Sequence, residues 1–207
     1  MKESLAEKLR KYFIMGTQNS KQDPVVVLEE AAKAGITAFQ YREKGDNALT
    51  GARKLELGKQ LRQICWEHDI LFFVNDDVDL VEPLEADGIH VGQDDLTVQE
   101  IRALMPDKII GLSVSNVREV EQSPIVLVDY LGAGPIFRTS TKTDAKEPVG
   151  TAWIASLRKQ FPSMPVVGIG GISTENAENV IQAGADGVAV ISAITDAKDI
   201  KRAIEYL

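Results

Sequence analysis

Eight short runs rich in β-branched and aromatic residues recur along the chain, and their number limits the available folds more than any other feature. They are Tyr12 to Gly16, Ala38 to Arg42, Leu71 to Asn75, Gly88 to Gly92, Ile109 to Val114, Val128 to Gly132, Val166 to Gly170 and Gly187 to Ser192. Amphipathic stretches separate most of them. Strands therefore alternate with helices, the pattern of parallel strands joined by crossover helices. Eight such units in 207 residues leave about 26 residues each, near the lower size limit of a (β/α)8 barrel. The expected architecture is α/β: a single-domain (β/α)8 TIM barrel over residues 1–207, with residues 1–11 as a charged, amphipathic N-terminal helical extension.

Helix punctuation agrees. Asp23-Pro24, then Val25 to Ala34, then Gly35 supplies a capping carboxylate, a first-turn proline and a terminating glycine. A second helix is expected from about Thr174 to Ala183, stopped by Gly184. Both endings run straight into a strand: Ala34-Gly35-Ile36-Thr37-Ala38-Phe39 resembles Ala183-Gly184-Ala185-Asp186-Gly187-Val188, with Leu84-Glu85-Ala86-Asp87-Gly88-Ile89 a looser third copy. The copies begin 50 and 99 residues apart, near two and four units, as a repeated βα element requires.

Hydrophobic residues make up 44% of the chain, enough for one core without disulfides or structural metal. The single cysteine, Cys65, permits no disulfide framework or thiolate zinc site. It reads as a packed, inert thiol in a reducing, cytoplasmic setting. A net charge of −8 argues against nucleic acid as a partner, because phosphate backbones are held by clustered Lys and Arg. No apolar run approaches the length of a membrane span. The expected partners are small molecules, and a homo-oligomer built through outer helices is compatible with the pattern.

Ligands of such barrels bind at the C-terminal ends of the strands. The polar residues there form a set: Gln40-Tyr41-Arg42-Glu43-Lys44, Asn75-Asp76-Asp77, Gly92-Gln93-Asp94-Asp95 and Ser113-Val114-Ser115-Asn116. Asp76 and Asp95, at the ends of neighbouring strands, offer hard oxygen ligands of the kind magnesium takes together with waters and phosphate oxygens; Asp77 and Asp94 compete for the same role. Arg42, Lys44 and Lys142 can offset phosphate charge. A second cluster, Gly168-Ile169-Gly170-Gly171 and Ile191-Ser192, closes strands seven and eight, where barrels often bind phosphate, and a helix starting near Ser173 would aim N–H groups at it. Between strands six and seven, Pro135 to Gly150 is polar and long. From Arg138 to Glu147 it reads as a lid that orders over bound substrates.

Other motifs fail. The Gly168, Gly170, Ser173 string lacks the last glycine of a dinucleotide fingerprint, and Gly111 to Ser115 lacks that of a nucleophile elbow. His68 and His90 share no ligand spacing, and His90 is expected to be structural inside the barrel. Trp66 and Trp153 are expected to pack.

Taken in order, Gln40 to Lys44, Asn75 to Asp77, Gly88 to Asp95, Gly132 to Phe137, Thr139 to Lys142, Val167 to Gly171 and Val190 to Ile194 resemble the thiamine-phosphate synthase family from about Tyr12 to the C-terminus. The resemblance implies a transferase that condenses 4-amino-5-hydroxymethyl-2-methylpyrimidine diphosphate with a thiazole phosphate, or its carboxylated form, and releases pyrophosphate by way of a pyrimidine cation. It implies one magnesium per site on Asp76 and Asp95. Gln40, Tyr41, Arg42, Glu43, Lys44, Asn75, Ser113 and Lys142 would contact the pyrimidine diphosphate, with Lys142, Ser113 and Arg42 catalytic. Thr139, Ser140, Thr141, Gly171, Ile191 and Ser192 would hold the thiazole phosphate. Two positions depart from the family's usual pattern: Arg138 stands where proline is frequent, and Tyr41 where an aliphatic residue is frequent. The competing readings are a thiazole tautomerase, which needs no diphosphate site, and a noncatalytic barrel that senses a phosphorylated metabolite.

Overall fold

The computed structural model describes residues 4–139, 141 and 146–207. Its strands are β1 (Lys11–Met15), β2 (Ala38–Tyr41), β3 (Leu71–Asn75), β4 (Gly88–Val91), β5 (Ile109–Val114), β6 (Tyr130–Ala133), β7 (Val166–Ile169) and β8 (Gly187–Val190). They close into a barrel in chain order, each pair parallel. The helices are α1 (Leu5–Lys8), α2 (Pro24–Lys33), α3 (Gly51–Glu67), α4 (Val98–Leu104), α5 (Val117–Gln122), α6 (Thr151–Gln160), α7 (Ala177–Gln182), α8 (Ser192–Thr195) and α9 (Ile200–Glu205). Between β3 and β4 the crossover is only a 3-10 turn, Val78–Leu80. None of the described helices is long and apolar enough to cross a membrane.

All eight expected strands exist; β3 and β5 have the expected bounds and the other six have shifted ends. Gly16, Arg42, Gly92, Gly170, Ile191 and Ser192 lie beyond their strands, because the chain leaves the ladder there to enter the loops of the upper rim. The sixth strand starts two residues later than expected because Asp129 is used as a side-chain bridge rather than as a ladder residue. Helix α7 begins at Ala177, not Thr174: Ser173 N–H donates to Asn176 Oδ1 at 2.9 Å, so Asn176 holds a turn that competes with the first helical turn. Helix α2 behaves as expected, with Asp23 accepting the Val25 N–H at 2.9 Å and Gly35 at φ +95° just beyond its end.

Strand alternation divides the core in two. Phe13, Phe39 and Phe72 point outward and meet edge-on or tilted beneath the helices. Tyr12, Phe73 and Tyr130 point inward and fill the lower half of the barrel with Ala38, Val167 and Ala189. Trp153 is buried as expected, its indole N–H donating to Val114 O. Trp66 is not: it is 68% exposed on the outer face of α3, because its position there faces away from the neighbouring helix. Cys65, beside it, is fully buried, and that burial pushes its thiol far above the usual range, so it is inert.

The base of the barrel carries a fourfold device. Thr37, Asp87, Asp129 and Asp186 stand just before β2, β4, β6 and β8. Each donates its backbone N–H to the carbonyl of one residue on the preceding strand and accepts that same residue's N–H on its side chain. The partners are Lys11, Phe72, Ile110 and Val166, with side-chain bonds of 3.0, 2.8, 2.8 and 2.8 Å. In the three acidic copies an arginine from the helix that precedes the partner strand, Arg62 on α3, Arg102 on α4 or Arg158 on α6, ion-pairs with the carboxylate and donates to nearby backbone carbonyls. The repeats seen in sequence at Thr37, Asp87 and Asp186 are copies of this device. Asp129 is the fourth copy, unrecognised in sequence because no alanine or glycine flanks it.

Candidate active site

A cavity of about 300 Å³ opens at the C-terminal rim. On one wall Gln40 ends the inward face of β2, and Arg42 and Lys44 follow on the loop. Asn75 and Asp76 close β3, Asp95 follows β4, and Ser113 faces inward from β5. On the other wall are Thr139, Thr141, Gly170, Gly171, Ile191 and Ser192. Twelve of the expected residues thus meet in one space: Gln40, Arg42, Lys44, Asn75, Asp76, Asp95, Ser113, Thr139, Thr141, Gly171, Ile191 and Ser192. Ser140 and Lys142, with residues 143–145 of the expected lid, lie outside the described residues.

The first wall is organised around Lys44. Its ammonium lies 2.5 Å from Asp76 Oδ2 and 3.7 Å from Asp95 Oδ1. Asp76 sits at φ +58°, a left-handed conformation that Asp tolerates better than most residues, and its N–H is held by His90 O at 3.0 Å. Burial, reinforced by the neighbouring Asp95, pushes the Asp76 carboxyl above its usual range despite the ammonium. Asp95 is also penalised by burial, but the Gly92 N–H at 2.9 Å and Lys44 outweigh that and hold it below its usual range. Of the two competitors, Asp77 is engaged by Lys54 at 2.8 Å, and Asp94 lines the cavity.

Tyr41 and Glu43 do not join the set. Tyr41 follows Gln40 and so points to the other face of β2. It is buried against α3, its hydroxyl donating to Lys54 O at 2.9 Å. Glu43 is turned under the loops, where its carboxylate accepts the Thr17 N–H and hydroxyl and the Leu49 N–H at 2.6, 2.9 and 2.7 Å. It ties the loops after β1 and β2 together and fixes Arg42 and Lys44 on either side of it.

On the second wall the chain makes a glycine turn. Gly170 and Gly171 have φ of +93° and +65°, and a Cβ on Gly171 would lie 2.5 Å from Arg138 O. Glycine is required there both by backbone conformation and by close approach. The turn from Ser173 to Asn176 displaces α7, so the helix starting beside the cavity is the short α8, whose first residue is Ser192.

Sequence reasoning missed Ile14 and Ala189 as lining residues and gave His90 only a structural role inside the barrel, while Ile169 of the expected glycine cluster does line the cavity. Period-two alternation identifies the missed pair only once the register is known, which sets Ile14 beside Gln40 and Ala189 beside Ile169. Lys146 also lines the cavity, paired with Glu119 at 2.7 Å, and nothing in its polar surroundings singled it out.

A family model described as thiamine monophosphate synthase matches residues 11–194. The chain belongs to that family. It is an enzyme of the transferase class. Thiamine-phosphate synthase of Oceanobacillus iheyensis is 61% identical over 199 residues, covering 96% of this chain and 97% of the relative. Thiamine-phosphate synthase 1 of Streptococcus pneumoniae is 49% identical over 202 residues, covering 97% of each. Among solved structures, thiamine phosphate pyrophosphorylase from Pyrococcus furiosus superposes with a TM-score of 0.87 at 36% identity, covering 99% of this chain and 96% of that one. N-(5'-phosphoribosyl)anthranilate isomerase from the same organism, at 16% identity and a TM-score of 0.64, shares the fold alone.

Proposed function

We propose that this cavity joins 4-amino-5-hydroxymethyl-2-methylpyrimidine diphosphate to a thiazole phosphate, or its carboxylated form, in the cytoplasm, giving thiamine phosphate and pyrophosphate. The observation that carries the reading is two anion-compatible walls facing one space, the Lys44–Asp76–Asp95 cluster with Arg42 opposite the Gly170–Gly171 turn and Ser192. A tautomerase acting on the thiazole alone would have no use for the first wall.

The donor set fits magnesium. No group of three or more His, Cys, Asp and Glu among the described residues could hold a metal unaided, but magnesium is usually held by one or two carboxylates with waters and phosphate oxygens. Asp76 and Asp95 are such a pair, and the burial that disfavours charge on Asp76 is what a divalent cation would relieve. When bound, the metal supplies charge stabilisation to the departing pyrophosphate.

The chain's own residues do the rest by position. Arg42 and Lys44 stabilise the diphosphate as the methylene C–O bond breaks and its electron pair leaves with pyrophosphate. Gln40 and Ser113 orient the pyrimidine, whose cation accepts the thiazole nitrogen's lone pair as the C–N bond forms. Gly170, Gly171 and Ser192 hold the thiazole phosphate by backbone approach. No protein nucleophile is needed, consistent with an inert Cys65. The reading is tested by incubating the protein with both substrates and magnesium. Thiamine phosphate and pyrophosphate should form in equal amounts, and neither should form when one substrate is omitted; isomerisation of the thiazole without pyrophosphate would overturn it.

The same assay separates Tyr41 from Glu43. Tyr41→Phe removes only the bond to Lys54 O and should leave kcat/KM within about twofold. Glu43→Ala should raise the KM for the pyrimidine diphosphate about tenfold, because three loop donors lose one buried acceptor. Equal effects of the two variants would refute this division.

A further inference from the structure

Gln40 and Ser113 line the cavity from β2 and β5, and a continuous line of hydrogen bonds through the barrel joins them. Gln40 Nε2 donates to Tyr12 Oη at 2.9 Å, Tyr12 Oη lies 2.9 Å from Tyr130 Oη, Tyr130 Oη lies 2.8 Å from His90 Nδ1, and His90 Nε2 lies 2.8 Å from Ser113 Oγ. Tyr130 is fully buried, and Tyr12, Gln40 and His90 nearly so. The sequence gives up side chains to seat the two central rings. A Cβ on Gly111 would fall 2.1 Å from Tyr130 Cζ, and one on Gly132 would fall 2.9 Å from His90 Cε1. Glycine weakens a strand interior, so two glycines under two polar rings point to a purpose beyond filling space.

Proton counting gives the line a direction. An amide nitrogen only donates, so Tyr12 accepts from Gln40 and has one proton to give, to Tyr130. Tyr130 then gives its proton to His90 Nδ1, and His90, neutral and protonated at Nε2, donates to Ser113 Oγ. Burial, the largest effect on each, pushes both phenols well above their ordinary range, so both protons stay in the line.

We infer that His90, Tyr130 and Tyr12 are positioning residues that fix opposite hydrogen-bonding characters at the two ends of this line. Gln40 presents its Oε1 to the cavity as an acceptor, and Ser113 presents its hydroxyl as a donor. Reversing one end requires every link to reverse, so the two ends are read together. The pair matches a heteroaromatic edge with an amino group beside a ring nitrogen and rejects the edge with the reversed pattern, an oxo group beside a ring N–H. The substrate assignment rests on the function proposed above; the direction of the line does not.

The experiment is nitrogen NMR of the full chain labelled with 15N-histidine. The chain has only two histidines, and His68→Gln assigns the signals. His90 should be neutral with its proton on Nε2. In Tyr130→Phe the link to Nδ1 is cut, so the preference for that tautomer should weaken. The kcat/KM for the pyrimidine diphosphate should fall roughly tenfold while the KM for thiazole phosphate holds, and preference for the amino over the oxo analogue should shrink. Tyr12→Phe cuts the line one link further from His90 and serves if Tyr130→Phe does not fold. A wild-type His90 protonated on Nδ1 or on both nitrogens overturns the inference, as does a variant that folds with tautomer and discrimination unchanged. If no thiamine phosphate forms with any protein, the function proposed above fails, and the tautomer still decides the direction of the line.

Discussion

Asp76→Asn lowers kcat/KM for thiamine phosphate formation by at least about 10²-fold, while the melting temperature of the metal-free protein holds or rises. Asparagine is the informative replacement because Asp76 stands at φ +58°. Asn tolerates that conformation, whereas Ala would add backbone strain to the loss of charge. The sign of the stability change follows from the carboxyl. Burial raises its folded-state pKa, so at neutral pH the folded protein bears the cost of an ionised group that the unfolded chain ionises freely. That cost is fully present above the folded pKa and is lost as the pH falls through it toward the unfolded value, and the neutral amide removes it at any pH. The contact to Lys44 opposes that cost, but the carboxyl is raised even with the ammonium beside it, so the cost of burial prevails. Rates at graded magnesium and a thermal melt decide the matter. Near-normal rates at low magnesium would remove Asp76 from the metal site, and a large drop in melting temperature would mean that its role is structural.

Arg158→Ala destabilises the fold by roughly 3 kcal/mol without altering the kinetics of the protein that remains folded. From α6 the guanidinium donates to the carbonyls of Gly184, Pro162 and Met164 at 3.0, 3.0 and 2.9 Å and pairs closely with Asp186. Removing it strands an inward-held carboxylate and three acceptors at the far end of the barrel from the cavity. For a chain of this size the melting point should fall by about 6–12 °C. Calorimetry and Michaelis–Menten analysis below the transition are the measurements; an unchanged melt would mean that water replaces the guanidinium at no cost.

The two variants act at opposite ends of the barrel, and the sequence was legible to different depths at each. The strands could be counted because each is short, apolar and ended by a turn. The last residues of β3 and β5 were placed correctly, but others were not, because Arg42 and Gly92 leave the ladder for reasons set by the loops and not by their own propensities. The rim set was readable for the same reason the strands were: a polar residue closing an apolar run must go somewhere wet. What a single position could not reveal was its facing. Gln40 and Tyr41 are neighbours, yet one reaches the cavity and the other packs on α3, a distinction fixed by the pleat. Glu43 was expected as a ligand only through the family resemblance of Gln40 to Lys44; its three backbone and hydroxyl partners come from loops whose approach no local pattern encodes. His90 was expected to be structural inside the barrel. Its link to Ser113, 23 residues away, depends on the parallel pairing of β4 with β5, which sets His90 beside Gly111 in the register.

The reciprocal bonds at the barrel base bear on how the chain reaches this fold. Each side-chain closure joins residues 26, 15, 19 or 20 positions apart and stays within one pair of strands, β1 with β2, β3 with β4, β5 with β6 or β7 with β8. The seam between β8 and β1 instead pairs Val188 with Lys11, from opposite ends of the chain. Loop-closure entropy rises with separation, so the four quarters can zip early and independently. The slow, high-contact-order event is left to the meeting of the first and last strands.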